Sequence, residues 1–578
     1  MPRKIIALLL IIAAIPVSAA NCESPHVPVS DIQGQGNESP MVGRQVSVDG
    51  IVTVDLRHPG GFRGFYLQQA LAEQDNDDST SEGLFIHTTA NGGEPGDRVH
   101  VSGEVTEYYG LTSLTGVSQI HVCDRPGLPE PRTLEAGASL PDDREALEGM
   151  LVQTVAPLTI TDTWNLARYG ELVLSPVLQW IPTQIVAPGP QARSLQEQQE
   201  RQRLILDDGY RRKHPRPIPF LYGPEGAPAS PLRVGDQIAP VAGVLEYRFG
   251  HWRLQSLYRP DILDSNPRDM PPARDPQASL RVVSLNLENL FNGDGQGGGF
   301  PTDRGASSHR AYQQQLARLV HQIRATEPDI LAVSELENDG YGENSAPAQL
   351  ARALGEHWRF VQGGTNRHDD AIRNGLLYRH DRVRTQGPAS LITTEAFKRW
   401  HRPALAQGFR LVGGKETVTV VSVHLKSKSC RNAPPAQKDA GDGQGCYAAA
   451  RKAASLQLAH WRPPDTGEES LVLLAGDFNA YARETPIQAL ANAGYTDLIA
   501  HFHGLEQQTF RYHGRQGTLD YHVANEPLRE QVRASHIWSV NAEEPRLWAY
   551  DAENAPPVPD DFLWRASDHN PVITDISL

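Results

Sequence analysis

With 578 residues the chain is too long for one hydrophobic core, so two to four domains are expected. Hydrophobic residues make up 39% and charged residues 21%, which excludes a disordered chain. The formal net charge of −15 opposes long-range attraction to a polyanion, so any nucleic-acid contact must rest on local basic patches.

The N-terminus reads as a signal peptide. Arg3 and Lys4 precede an apolar stretch, 5–16, too short to span a bilayer, and Ser18-Ala19-Ala20 offers small residues for cleavage. A secreted, extracellular protein is expected, with the periplasm as the alternative. A lipid anchor on Cys22 is opposed by Asn21 just before it. No later segment approaches transmembrane length, so membrane insertion is not expected. Four cysteines in an exported chain point to disulfides, and three pairings are possible. The simplest, Cys22–Cys123 and Cys430–Cys446, keeps each bridge inside one domain.

After the leader the pattern is β-like. Val46, Val48 and Ile51 alternate with polar residues, as do Val99, Val101 and Val105. An acidic insertion, 73–82, lacks a full calcium-loop spacing and reads as a solvated loop. A weak repeat relates Gly96-Asp97, Gly103, Tyr109 and Gly110 to Gly235-Asp236, Gly243, Phe249 and Gly250. Each copy has a tight turn, a strand with a glycine kink and an aromatic hairpin. Two small all-β modules are therefore expected over 22–125 and 126–265. The first resembles the oligonucleotide/oligosaccharide-binding (OB) barrel that precedes secreted nuclease domains, and the second is read as a related module. A Pro- and charge-rich linker follows at 266–278.

From 279 to 578 strands and helices alternate. Strands are predicted at 280–287, 329–336, 417–425 and 471–475, with amphipathic or Ala-rich helices at 309–326 and 447–461. Polar residues stand at the ends of the apolar strands, where active sites of layered α/β folds gather. Basic residues cluster at Arg367 to Arg384, at Lys398 to Arg402 and at Lys426 to Arg431. Each cluster alone is ordinarily a solvated face.

Five short motifs carry the chemistry: Asn286 in SLNLEN, Glu335 in LAVSELEND, His424 in SVHLKSK, Asp477 and Asn479 in GDFNAY, and Asp520 in TLDYH with Asp568-His569 in SDHNP. Singly, a strand-end Asp is a cap or turn residue and a lone His is structural. In this order they resemble the endonuclease/exonuclease/phosphatase superfamily (the deoxyribonuclease-I-like fold), and within it the extracellular bacterial nucleases. Arg304-Gly305, Glu337-Asn338-Asp339, the run after His424 and Tyr481 strengthen the subgroup likeness. The resemblance covers about 279–578. It implies a four-layered β-sandwich nuclease domain flanked by helices, that is, an α/β (α+β) fold, preceded by the two OB-like modules.

Phosphodiester cleavage needs a nucleophilic water, a sink for phosphoryl charge and help for the leaving oxygen. Hard oxygen ligands suit Mg2+, with Mn2+ or Ca2+ as alternatives. Glu335 is the first choice as metal carboxylate, with Asn286 and Asp568 completing the shell and Glu288 as a further candidate. His569 is the expected general base, oriented by Asp520. Asp477 positions the water or acts as acid, Asn479 and His424 donate to phosphate or leaving oxygen, and Lys426 and Arg373 are candidate substrate contacts. The expected activity is endonucleolytic hydrolysis of DNA, with RNA as a further substrate, by a monomer. A sphingomyelinase-like phosphodiesterase or a phosphatase of the same superfamily is the runner-up, and a non-catalytic nucleic-acid-binding protein is the reading from another class. Gly293, Gly295 and Gly298 fit a dinucleotide fingerprint but sit in a glycine-saturated run, and read as a flexible loop.

Overall fold

The computed structural model describes residues 22, 24–134, 144–221, 232–363, 370–464, 470–552 and 562–578. The expected signal peptide and Arg367 lie outside the described residues. Among those residues no helix is long and apolar enough to cross a membrane.

The first unit is a closed sheet. Its strands are β1 (Gln45–Asp55), β2 (Gly64–Gln68), β3 (Gly83–His87), β4 (Arg98–Glu107), β5 (Thr112–Thr115) and β6 (Ile120–Asp124). They run in the order β1-β2-β3-β5-β4-β6, and β1 also pairs with β4, which closes a barrel. Alternation along β1 and β4 sends Val48, Val52, Val99 and Val101 into its core. Cys22 and Cys123 are bonded beside it.

The second unit is a nine-stranded sheet spanning Arg132 to Leu263. Here an all-β module was expected, and the structure differs. Pro190–Arg201 is a 12-residue helix. Pro at its first turn and a run of Gln, Glu, Arg and Ala without β-branched residues favour helix over strand. The repeat noticed in the sequence has a matching geometry. Asp97 accepts the Glu94 N–H at 2.9 Å, and Asp236 accepts the Arg233 N–H at 2.8 Å. A Cβ on Gly103 would lie 2.4 Å from the Thr115 carbonyl, and one on Gly243 2.5 Å from that of Gln255. Tyr109-Gly110 and Phe249-Gly250 both turn with positive φ, which closes tight hairpins.

The expected linker is pinned rather than loose. Arg268 binds Glu544, Arg274 binds Asp329 at 2.9 Å, and Asp575 accepts the Asp275 N–H.

Two six-stranded sheets follow. One orders Trp358–Phe360, Ile372–Arg379, Ile330–Glu337, Leu280–Leu290, Val572–Ile576 and Val532–Ile537. The other orders Val383–Ile392, Ala404–Leu411, Thr417–His424, Leu471–Asp477, Asp520–Ala524 and Thr496–Asp497. Their inner faces share one core, in which Val282, Ile330 and Leu376 meet Phe409, Val420 and Leu473. Helices cover the outer faces. His309–Thr326 packs Leu319 and Ile323 on the first sheet, and Ala448–His460 packs Ala454 and Leu458 on the second. Ser308 caps the first of these helices by accepting the Ala311 N–H at 3.2 Å. The result is a four-layered α/β/β/α sandwich.

The second unit docks on this sandwich through backbone. Gln179–Trp180 adds in parallel to Arg515–Gly517, which itself forms a hairpin with Phe510–Tyr512. Thr183 donates to Glu484 at 2.8 Å and Arg515 binds Glu200 at 2.8 Å.

Candidate active site

Strand register builds the site. Thr417–His424 runs parallel to Leu471–Asp477, and the latter pairs antiparallel with Asp520–Ala524. His424, Asp477 and Asp520 therefore stand in one row at the strand ends, because His424 pairs with Asp477 and Asp477 with Asp520. The first sheet supplies the facing wall. Leu280–Leu290 and Ile330–Glu337 lose register together after Asn286 and Ser334 and regain it at Leu290 and Leu336. These facing bulges re-aim the chain. They also leave Glu288, Asn289 and Glu335 with left-handed φ of 50°, 56° and 58°, and Asn479 and Arg565 share that conformation. Left-handed non-glycine residues gathered at one pocket mark a site held under backbone strain.

His569 Nδ1 lies 2.6 Å from Asp520 Oδ2, and both side chains are buried. The Ser567 hydroxyl accepts the His569 N–H at 3.1 Å and donates to the Asn286 carbonyl, tying the loop before Val572–Ile576 to the neighbouring strand of the same sheet. The Phe510 ring lies against the His569 ring, with centroids 4.6 Å apart. Burial alone disfavours a charged His569, but the Asp520, Asp568 and Asp477 carboxylates outweigh it and hold the imidazole well above its ordinary range. Asp477 is pushed up to about 7 by burial and then by Asp520. Its Oδ1 accepts the Asn479 N–H at 2.7 Å, and Asn286 Nδ2 reaches its Oδ2 at 3.3 Å. His424 Nε2 lies 3.5 Å from Asp477 Oδ2. Burial, then Arg402, push His424 well below the usual histidine range, so it stands neutral in the pocket.

Two groups of side chains could hold a divalent ion. One is Asp477, Asp520 and His569, whose ligating atoms lie within 4.8 Å of one another. Those atoms already serve each other, since the Asp520–His569 bond uses one of the two ring nitrogens. The other is Glu335 with Asp568. Glu335 is half-buried and accepts the Asn289 N–H at 3.1 Å. Burial and then the Asp568 charge push its carboxyl upward, with the Asn286 amide as a local donor. Two carboxylates that repel each other on a half-buried wall of the groove fit a hard cation better than they fit each other.

This catalytic half matches one known family. Residues 283–569 match the Endonuclease/Exonuclease/phosphatase family. The C-terminal half of the chain belongs to that family. It is thus an endonuclease/exonuclease/phosphatase domain, a hydrolase fold for phosphate esters. Residues 133–264 match a domain of unknown function (DUF8508). No curated protein matches the chain. Among solved structures, humanized D. rerio TDP2 is 15% identical at a TM-score of 0.34, covering 51% of this chain and 97% of that one. An endonuclease/exonuclease/phosphatase protein from Bacteroides vulgatus is 16% identical at 0.34, covering 52% and 98%. The human Nocturnin catalytic domain is 17% identical at 0.32, covering 51% and 93%.

Within this phosphoesterase domain the structure brings Asn286, Glu335, His424, Asp477, Asn479, Asp520, Asp568 and His569 to one region. Others fall differently. Both Glu288 oxygens are taken by Arg565, at 2.6 and 3.2 Å, so Glu288 is committed to an ion pair. The Asn479 amide donates to the Leu425 carbonyl and to Asp477, which makes it a brace. Arg373 is buried, donating to the Tyr341 hydroxyl with its guanidinium 4.0 Å over that ring. It does not line the catalytic groove, whereas Arg304 and Arg402 do. Lys426 lines the groove with its ammonium 5.2 Å over Tyr447. Phe510 and Arg565 escaped the sequence reading, because neither belongs to a recognised motif. Arg402 appeared there only as one member of a basic cluster.

The loop from Cys430 to Cys446 forms part of the groove wall and is closed by their disulfide. The bridge spans 16 residues, so reducing it is expected to destabilise the chain by roughly 3 kcal/mol. Chemical denaturation of a Cys430→Ser/Cys446→Ser chain beside its parent measures that difference, since reductant would open Cys22–Cys123 as well.

Proposed function

We propose that this chain is a secreted, divalent-metal-dependent nuclease that cuts phosphodiester bonds of DNA, and of RNA as a further substrate, within the strand. One observation carries the reading: the buried Asp520–His569 pair at 2.6 Å opens on the same groove as Glu335, Asp568 and a set of arginines. A buried, oriented imidazole beside carboxylates and guanidinium groups suits attack of water on an anionic diester.

Glu335 and Asp568, with the Asn286 amide, would hold the metal, taken as Mg2+. When bound, it supplies Lewis-acid charge to phosphoryl oxygen. The chain's own residues do the rest. His569 accepts the proton of the attacking water at Nε2, while Asp520 keeps its Nδ1–H in place and stabilises the resulting imidazolium. Pairing Asp568 with a cation removes one of the charges that otherwise keep His569 protonated. Asp477, braced by Asn479, orients the water. His424, neutral, donates from Nε2 to the leaving or a non-bridging oxygen. Arg304 and Arg402 hold the phosphate.

Both disulfides fit an oxidising compartment, which supports export. The barrel order β1-β2-β3-β5-β4-β1 supports the OB reading of the first unit.

The test uses pure full-length protein with circular DNA, linear DNA, RNA and sphingomyelin, with Mg2+ or with chelator. Circular DNA is expected to be nicked and linearised with Mg2+, and chelator is expected to stop the reaction. Release of phosphocholine from sphingomyelin with intact DNA would replace this reading by a phospholipid phosphodiesterase.

A further inference from the structure

The catalytic pocket is one end of a much larger space. A continuous groove of about 3360 Å3 runs from Glu335 and His569 to the hairpin tip of the second unit. Its lining carries 15 Lys and Arg against 12 Asp and Glu, in a chain whose overall balance is −15. The positive charge is therefore concentrated where a strand would lie.

Aromatic rings are concentrated there too. Six Phe, Tyr and Trp side chains among the described residues are more than half exposed, and four of them, Tyr108, Trp164, Phe249 and Tyr512, line this groove. Exposed apolar residues scattered singly need no explanation. A majority gathered in one channel does. Trp164 is 59% and Phe249 63% exposed, which is far from the packing expected of large rings. Each is backed by a guanidinium, Arg546 at 4.7 Å over Trp164 and Arg253 at 5.1 Å over Phe249. Phe249 also has the Phe62 ring 6.3 Å away, yet both rings keep more than half of their surface exposed. At the catalytic end Phe510 packs on His569 and Tyr512 follows it on the same hairpin.

We infer that the second unit, residues 133–264, provides a track for single-stranded nucleic acid that feeds the catalytic pocket, with Trp164 and Phe249 as base-stacking platforms. The inference rests on the nuclease reading and adds the substrate's form. Open rings need unpaired bases, because a duplex keeps its base faces inside its own stack. Exposed rings and guanidinium groups in one lining suit a strand that offers both bases and phosphates.

The test compares the full chain with the Trp164→Ala/Phe249→Ala double variant. Binding of a fluorescent thymidylate oligomer and of a duplex of equal length is measured in chelator, so that no cleavage occurs. Removing the two rings is expected to weaken oligomer binding by roughly 10-fold or more and to leave duplex binding unchanged. The ring-retaining chain W164F/F249Y is expected to restore it. Hydrolysis of bis(p-nitrophenyl) phosphate, which is too small to reach the track, stays at the parental rate. Equal oligomer affinity in parent and double variant, an equal loss on the duplex, or no oligomer binding by the parent overturns the track. A chain that cuts DNA yet shows no ring dependence sinks the track alone. A chain that binds the oligomer through the rings but cuts nothing sinks the nuclease reading alone.

Discussion

Replacing His569 with Ala is expected to slow DNA cleavage by about 10²–10⁴-fold, the usual contribution of a positioned general base. The side chain is buried, and its Nδ1 serves Asp520. Asp520 Oδ1 has no hydrogen-bond partner among the described residues, so removing the imidazole takes away the partner of the other oxygen as well. The variant is therefore expected to lose some stability as well, on the order of 1–3 kcal/mol. Asp520→Asn separates the two effects. It keeps the shape of the pair but no longer stabilises the imidazolium, so it should lose rate with little loss of fold. Initial rates on supercoiled plasmid, with unfolding midpoints on the same samples, give both numbers. A His569→Ala chain that folds and cuts at the parental rate would remove His569 from the chemistry.

Replacing Glu335 with Gln is expected to lower activity by roughly 10²-fold or more, since several kcal/mol of charge stabilisation depend on the cation it would hold. Divalent-ion titration by calorimetry should show weakened binding of Mn2+, which reports on the site without any turnover. Stability should move the other way. Burial and Asp568 raise the Glu335 carboxyl, so the folded chain prefers it protonated and loses stability as pH rises above the ordinary carboxylate range. In chelator at neutral pH the Gln variant is then the more stable chain. That advantage should shrink as pH falls toward the range where an unfolded carboxylate also takes up its proton. A Glu335→Gln chain that binds Mn2+ as tightly as its parent would place the metal elsewhere, with Asp477, Asp520 and His569 as the next candidates.

Much of the sandwich was legible because its strands are apolar runs that stop at chemically capable residues. Leu471–Asp477 is seven buried residues long, and in LVLLAGDFN the candidate Asp477 stands where the apolar run ends. The helix read at 309–326 is His309–Thr326 in the structure, since its apolar spacing and its capping Ser308 act locally. What depends on distant partners was not legible. Arg565 lies 277 residues from Glu288, and nothing near Glu288 announces that its charge is already spoken for. Arg373 belonged to a basic cluster in sequence, but its strand, Ile372–Arg379, turns it toward Tyr341 and away from the groove. Phe510 acquires meaning only because its hairpin folds over His569. The second unit hid its helix for a simpler reason. Alternation on either side of it set the expectation, and a polar stretch between strands reads as a loop until its helix propensity is weighed.

The parallel pairing of Gln179–Trp180 with Arg515–Gly517 has a practical corollary for dissection of the protein. A fragment beginning at 279 would keep every motif of the hydrolase yet bare a row of unpaired amides and carbonyls beside its own catalytic mouth. Raw sheet borders recruit other chains, so such a fragment is expected to self-associate rather than behave as a minimal enzyme.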